Sequence, residues 1–178
     1  MEKVSFANNA IKYGLFISLI TIISTFVYYI FDIEMFNTTA MIGSMVFGLF
    51  IIILLFVIGI KKYRENGLGG KITFGQAFLQ GLAIGIIGYA IIAIFNYVFN
   101  AFIAPEWGPN QVEGFYNMME GFGLPDEALD QAVEDFQEQM TPIGMAINAL
   151  QSGAIMSIIV SLIVAASIKK DTTQAEIS

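Results

Sequence analysis

The sequence contains no cysteine and no histidine, and only 13% of its 178 residues are charged. Without these two residue types the chain cannot form disulfides, thiolate nucleophiles, Cys/His zinc sites or haem sites with an axial histidine. It also lacks the side chain whose charge changes near neutral pH. Hydrophobic residues make up 56% of the chain, and the mean hydropathy is +0.71. This composition is too apolar for an ordinary soluble domain.

Four long runs contain no charged residue: 14–31, 35–60, 72–105 and 142–168. The shortest would extend about 27 Å as an α-helix, enough to cross the hydrocarbon core of a bilayer. The first run has a competing interpretation as a signal peptide, but it is longer than the usual apolar region of one and no A-x-A-like site follows Phe31. We therefore predict an all-α fold, a bundle of four transmembrane helices in a single membrane domain (1–178). The predicted spans are about 13–31, 37–60, 74–103 and 142–168.

All eight basic residues lie in the termini or in the connection between the second and third runs. That connection contributes Lys61, Lys62, Arg64 and Lys71, whereas the other two connections contain no basic residue. Because lysine and arginine are held on the cytoplasmic side of a membrane, we predict that both termini are cytoplasmic. The four basic residues of the connection could also contact anionic lipid headgroups. The alternative is that they only determine the topology.

The segment 104–141, between the third and fourth spans, is acidic. Its nine acidic residues, without a basic one, are Glu106, Glu113, Glu120, Asp126, Glu127, Asp130, Glu134, Asp135 and Glu138. Residues 125–139 are predicted to form a helix, because proline suits the first turn and acids suit the N-terminal end. Leu129, Val133, Phe136 and Met140 recur at helical spacing and form one apolar stripe. We therefore predict an extra amphipathic acidic helix outside the cytoplasm.

The polar face of this helix is a candidate surface for a partner protein. Asp130, Glu134 and Glu138 follow one another at a spacing of four residues. They could bind Ca²⁺ or a basic partner, but the sequence has no EF-hand loop, and acidic clusters of this kind are usually a solvated face. We predict no catalytic residue, no cofactor and no metal site. A net charge of −7 is ordinarily that of a protein that avoids nucleic acid, although the average conceals a sharp segregation of charge along this chain. We predict no nucleic-acid partner.

Two of the predicted spans contain rows of small residues at a spacing of four. The row in the third span is Ala77, Gly81 and Gly85, with Gly88 close to the same face, and the row in the fourth is Ala149, Gly153, Ser157, Ser161 and Ala165. In lipid, helices associate by close backbone approach over small residues. We predict that the two rows pack on each other within one chain. The alternative is that they join two copies.

The start of the third span carries further local signals. Thr73 and Gln76 have the spacing of a capping box. Gln76 and Gln80 share one helix face, which predicts either a polar lining of a small cavity or interhelical hydrogen bonds and capping. The glycines Gly67, Gly69, Gly70 and Gly75 do not form a phosphate-binding motif, and we interpret them as turn residues.

Several motifs occur in order along the chain: KKYRENGLGGKITFGQAF (61–78), a glycine-rich span, the exit Ala104-Pro105-Glu106, an acidic helix and Met140-Thr141-Pro142. In this combination the chain resembles the bacterial family called domain of unknown function 4199, over nearly its whole length. The resemblance implies a small four-helix, multi-pass protein of the bacterial cell inner membrane. It implies no activity and no catalytic residues, because the family has none assigned.

Three functions are compatible with these patterns. We expect a non-enzymatic membrane protein that acts through contacts with the lipid bilayer or with another membrane or extracytoplasmic protein. The first alternative is a small channel or transporter formed by a homo-oligomer, since four short helices enclose little space. The absence of charged residues within the spans argues against ion-coupled transport. The second alternative is an enzyme that modifies lipid at the outer surface.

Overall fold

The computed structural model describes residues 4–33, 36 and 38–169, with the backbone alone at 38–40. Within these residues the chain is all-helical and contains six α-helices: α1 Phe6–Ile30, α2 Thr38–Gly67, α3 Phe74–Val98, α4 Trp107–Glu120, α5 Asp126–Gln139 and α6 Pro142–Ile168. A π-helical turn, Phe99–Ile103, continues α3. In this described part of the chain, four helices are long and apolar enough to cross a membrane: α1, α2, α3 with its π-helical turn, and α6. The predicted all-α fold with four spans is confirmed.

Side-chain caps begin three of these four helices. Ser5 Oγ accepts a hydrogen bond from the Asn8 N–H at the start of α1, 3.2 Å away, so α1 begins before the uncharged run. The capping box at the start of α3 is confirmed: Gln76 N–H donates to Thr73 Oγ1, and Thr73 N–H donates to Gln76 Oε1. Thr141 caps α6, with Pro142 in the first turn. These caps satisfy N–H groups that have no partner within their helix.

The helix α2 continues beyond the uncharged run, through the first half of the basic connection to Gly67. Four of the residues there, Lys61, Lys62, Arg64 and Glu65, are good helix formers, and the helix is already propagating when it reaches them. It ends where Gly69 and Gly70 adopt positive φ angles of 70° and 93°. The Gly70 N–H then donates to the carbonyl oxygen of Arg64, 2.8 Å away. The interpretation as turn residues is confirmed for Gly69 and Gly70. It is wrong for Gly67, the last residue of α2, and for Gly75, which lies in the first turn of α3.

The helix α3 lies at the centre of the bundle, between α1 and α6, which form its two most extensive contacts. We call the end at which α1 and α3 begin and α2 and α6 finish the basic end, and the opposite end the acidic end. The core nearer the basic end is closed, with Phe56, Ile60 and Ile84 fully buried. Towards the acidic end α2 moves to the periphery and exposes Phe47 and Phe50. The bundle is therefore tight at one end and more open at the other.

Two helices lie between α3 and α6, where the sequence predicted one. The additional helix, α4, contains Gly108, Pro109 and Gly114, which are poor helix formers. Its proline lies in the first turn, where the missing N–H costs little. Tertiary contacts compensate for the weak propensity: Gly108 lies directly against the Met140 carbonyl oxygen, and a β-carbon on Gly114 would be 2.9 Å from the Phe36 ring.

Candidate functional site

The two predicted rows of small residues meet between α3 and α6. A β-carbon added to Gly81 would lie 2.5 Å from Ser161 Oγ, and one added to Gly85 would overlap Ser157. Both serines are fully buried, as are Ala77 and Ala165. The two helices therefore approach closely over about three turns. Gly81 and Gly85 each face a serine of α6, whereas Gly153 of α6 faces the Tyr89 ring of α3.

Two members of the rows face other parts of the molecule. Gly88 lies against α1, where its added β-carbon would be 3.1 Å from the Gly14 carbonyl oxygen. Ala149 lies at the edge of a cavity described below. The contact between α1 and α3 was missed by the sequence reasoning, although a signal for it exists. Ala10, Gly14 and Ser18 recur at a spacing of four in α1, and all three are buried.

The helices α4 and α5, which we call the cap (107–139), cover the acidic end of the bundle. Phe136 of α5 stacks on Phe115 of α4 with ring centroids 4.2 Å apart, and Phe36 packs edge-on against both. Leu129 is buried, and Val133 is half-buried. The acidic residues of α5 are all exposed: Asp126, Glu127, Asp130, Glu134, Asp135 and Glu138. Apolar contacts thus attach the cap, while its carboxylates face the solvent.

A second aromatic cluster joins the cap to the spans. Trp107 at the start of α4 packs edge-on against Tyr29 and Phe99, at centroid distances of 6.0 and 6.2 Å. The Tyr29 hydroxyl also donates a hydrogen bond to Glu106 Oε1, 3.0 Å away. Trp107 follows the third uncharged run, at the place where an outer aromatic anchor is expected. In the structure it is half-buried between α1 and the π-helical turn.

A cavity of about 500 Å³ lies beneath the cap, and we call it the outer cavity. Within the described part of the chain, its lining contains no charged residue. The polar lining residues are Thr21, Tyr89, Asn96, Gln111, Asn148 and Ser152. Trp107, Phe136 and Met140 close it on the side of the cap, and the fully buried Phe56 and Ile84 fill the bundle below it. A cavity of this size and lining suits an uncharged molecule with hydrogen-bonding groups.

The π-helical turn positions the side-chain amide of Asn100 near the acidic end of the bundle. Asn100 Nδ2 donates to the Asn96 carbonyl oxygen, 2.9 Å away, while its buried Oδ1 has no partner among the described residues. Asn100 lines a neighbouring cavity of about 580 Å³ between the start of α4 and the junction of α5 with α6. This turn was not predicted, because one inserted residue leaves no hydrophobic signature in the sequence.

The predicted basic residues have different surroundings. Lys61, Lys62 and Lys71 are exposed. Arg64 is partly buried, donates from Nη1 to the Ile168 carbonyl oxygen at 3.1 Å, and pairs with Glu65. Gln80 is also buried, and its Nε2 is 3.5 Å from the Phe6 carbonyl oxygen. The sequence left two interpretations of Gln76 and Gln80: a polar cavity lining, or capping and interhelical hydrogen bonds. The contacts of the two side chains are those of the second interpretation.

The carboxylates of the described residues do not converge. Among these residues, no group of three or more Asp or Glu side chains is arranged to hold a metal ion. The face formed by Asp130, Glu134 and Glu138 is therefore an array of separate exposed charges.

Comparison with curated proteins finds no match, and comparison with solved structures finds none either. A family model described as "Protein of unknown function (DUF4199)" matches residues 12–170, which include α2, α3, α6, the cap and all but the first six residues of α1. The resemblance carried by the motifs at 61–78, 104–106 and 140–142 is confirmed, and the chain belongs to this DUF4199 family.

Proposed function

We propose that the protein is a multi-pass protein of the bacterial inner membrane with cytoplasmic termini. In this proposal it acts without catalysing a reaction, through contacts between its cap and another membrane or extracytoplasmic protein. The observation that carries the proposal is the attachment of the cap. The apolar side of the cap is held by packing among the rings of Phe36, Phe115 and Phe136. The carboxylates of α5 are exposed, and this packing holds the helix that carries them in place.

The orientation is supported by the distribution of charge along the bundle. The ends of α2 and α6 are joined by the contact between Arg64 and Ile168, and Val4 N–H donates to the Asn66 carbonyl oxygen, 3.2 Å away. The basic connection, the start of α1 and the end of α6 therefore meet at one end. Retention of lysine and arginine in the cytoplasm would place this end inside and the acidic cap outside.

The candidate contact surface is the face of α5 that carries Asp130, Glu134 and Glu138. Separate exposed carboxylates contribute little to folding, so they are available to an approaching partner. A partner with a basic surface would be attracted over roughly the Debye length, about 8 Å at physiological ionic strength. Association should therefore weaken as salt is raised.

The proposal is tested by purification of the tagged protein from its native membrane after mild crosslinking. A stoichiometric partner should purify with the wild type and be lost in the triple variant Asp130→Asn, Glu134→Gln, Glu138→Gln. The matched control removes three other exposed acids of the cap region, in the variant Glu113→Gln, Glu120→Gln, Asp126→Asn, and should retain the partner. Equal recovery with both triple variants, or no stoichiometric partner with the wild type, would reject the proposal.

A second candidate function, a small channel or transporter, is favoured by the outer cavity. Its uncharged polar lining would suit a neutral solute, but Phe56 and Ile84 fill the bundle below it. A continuous path would therefore need a homo-oligomer or a rearrangement of α2. Reproducible solute flux into liposomes that contain the purified protein, reduced by Asn148→Leu, would favour this function over the contact function.

A further inference from the structure

A cavity of about 380 Å³ opens at the basic end, between the start of α1 and the end of α2. It lies at the opposite end of the bundle from the cap. Its polar lining consists of residues from two sides: Ser5, Asn8, Asn9, Lys12 and Tyr13 on one, and Lys62 and Asn66 on the other. We call it the basic cavity.

The walls of the basic cavity are held together by two hydrogen bonds between α1 and α2. Near the mouth, the Val4 N–H donates to the Asn66 carbonyl oxygen, 3.2 Å away. Deeper in the bundle, Asn9 Nδ2 donates to the Gly59 carbonyl oxygen at 3.0 Å, and Asn9 is only 3% exposed. The two walls are therefore fixed relative to each other on both sides of the cavity.

The charge of the lining favours an anion. Among the residues that the structure describes, it contains two lysines and no acidic residue. Lys12 Nζ lies 6.0 Å from the ring centres of Tyr13 and Phe16 and, in the described part of the chain, forms no ion pair. Ser5 is the N-cap of α1 and Asn8 lies in its first turn, where the helix dipole adds positive potential. The amides of Asn8 and Asn66 provide further hydrogen-bond donors.

The expected position of the two lysines relative to the bilayer favours a lipid headgroup as the source of the anion. Lys12 lies two residues before the uncharged run 14–31, and Lys62 lies two residues after the run 35–60. At 1.5 Å per residue, both are about 3 Å beyond the hydrocarbon core, at the level of lipid headgroups. Leu15 and Leu19, on the face of α1 that carries Asn8 and Lys12, are exposed below the cavity. An acyl chain could lie along them.

We propose that the basic cavity binds the phosphate group of an anionic phospholipid, between Lys12 and Lys62, with the acyl chains along the exposed face of α1. This assignment distinguishes Lys62 from the adjacent Lys61, which is exposed but does not line the cavity. It also separates the site from Arg64, whose guanidinium is engaged with Ile168 and Glu65.

The test measures the melting temperature of the purified protein in a neutral detergent during titration with short-chain lipids. Dihexanoyl phosphatidylglycerol should raise the melting temperature in a saturable manner, because a ligand of the folded state stabilises it. Dihexanoyl phosphatidylcholine is the matched lipid without net charge, and inorganic phosphate is the matched anion without acyl chains. Both should have little effect.

Four variants localise the binding. Lys12→Gln and Lys62→Gln should each weaken the apparent affinity for phosphatidylglycerol about 5-fold, the equivalent of about 1 kcal/mol per basic residue near an anionic surface. Lys61→Gln has the same change in net charge and should bind like the wild type. Asn66→Leu leaves the net charge unchanged and should also weaken binding. Melting temperatures without lipid show whether each variant is folded, and native mass spectrometry of the retained lipid provides an independent readout.

Three results would overturn the proposal. One is the absence of a saturable effect of phosphatidylglycerol on the wild type. Another is an equal loss in Lys61→Gln and Lys62→Gln, which would indicate diffuse attraction to the basic end. A comparable response to inorganic phosphate would reject the lipid and assign the cavity to a soluble phosphate compound. None of these measurements depends on the cap, so the outcome is independent of the proposed partner contact.

Discussion

Arg64 near the end of α2 donates a hydrogen bond from Nη1 to the carbonyl oxygen of Ile168, the last residue of α6, over 3.1 Å. The last carbonyl groups of a helix have no partner within it, and a cation is favourable at that end. The side chain of Arg64 is only 11% exposed. Arg64 therefore links α2 to α6 through a hydrogen bond, and it also adds positive charge to the basic end.

Removal of this contact should destabilise the bundle. We expect Arg64→Gln to lower the stability by about 1–2 kcal/mol, because a charge-assisted hydrogen bond to a helix end is lost. The measurement is the melting temperature in detergent. Lys61→Gln, which removes the same charge from an exposed position, should change it little. Equal effects of the two variants would show that Arg64 acts only through its charge.

Because α3 and α6 approach closely, replacement of glycine by alanine should lower the stability of the protein at Gly85 but not at Gly48. Gly85→Ala should destabilise by about 1–3 kcal/mol, because the new methyl group would overlap Ser157. Gly48→Ala has no described atom within 4 Å of the added carbon, and it should be neutral or stabilising by up to about 1 kcal/mol. Melting temperatures in one detergent would compare them. A stable Gly85→Ala variant would contradict the packing of the two rows.

A cysteine pair tests whether the two rows meet within one chain. Position 81 lies beside Ser161, so the variant Gly81→Cys, Ser161→Cys should form a crosslink within the chain. The chain contains no other cysteine, so the assignment is direct. Non-reducing electrophoresis separates a monomer with altered mobility from a covalent dimer. Dimers alone would show that the rows form an interface between copies.

The attachment of the cap should depend on its aromatic contacts and not on its charges. Phe136→Asp would place a carboxylate against the rings of Phe115 and Phe36. We expect it to loosen α5 and to accelerate proteolysis within 107–139, since burial of an unpaired charge is costly. Glu134→Gln, at an exposed position of the same helix, is the control. Equal digestion rates would mean that these rings do not hold the cap.

The proposed orientation predicts which surface residues can be labelled from outside the cell. Single cysteines at Phe122, in the exposed turn between α4 and α5, and at Glu65, near the end of α2, provide the pair. A membrane-impermeant maleimide should label Phe122→Cys in intact cells, and Glu65→Cys only after permeabilisation. The reverse pattern would place the cap in the cytoplasm.

Local signals in the sequence predicted the parts of the fold that depend on neighbouring residues. The capping box at Thr73 and the turn at Gly69 and Gly70 follow from bonds within a few residues, so they could be read directly. The four spans follow from the length of the uncharged runs. Helix α4 was missed because its glycines oppose helix formation locally, and packing against Phe36 and Met140 compensates for them.

The candidate sites needed the arrangement of the helices in space. Gly81 and Gly88 lie close to the same face of α3, but Gly81 contacts α6 whereas Gly88 contacts α1. Which neighbour each glycine meets depends on how α3 is rotated between the two helices. Neither the outer cavity nor the basic cavity has a motif, since each is lined by residues from at least two helices far apart in the sequence.

The sequence by itself determined that the chain is a four-span helical protein of the DUF4199 family with segregated charges. These properties are set by transfer of apolar runs into lipid and by local hydrogen bonding, which act within one segment. Only the tertiary structure decided that Arg64 joins α2 to α6, that Trp107 turns inward, and that Lys62 and not Lys61 lines a cavity. Those outcomes depend on the rotation and tilt of each helix. Both are set by packing between helices and leave no trace in the order of residues along one of them.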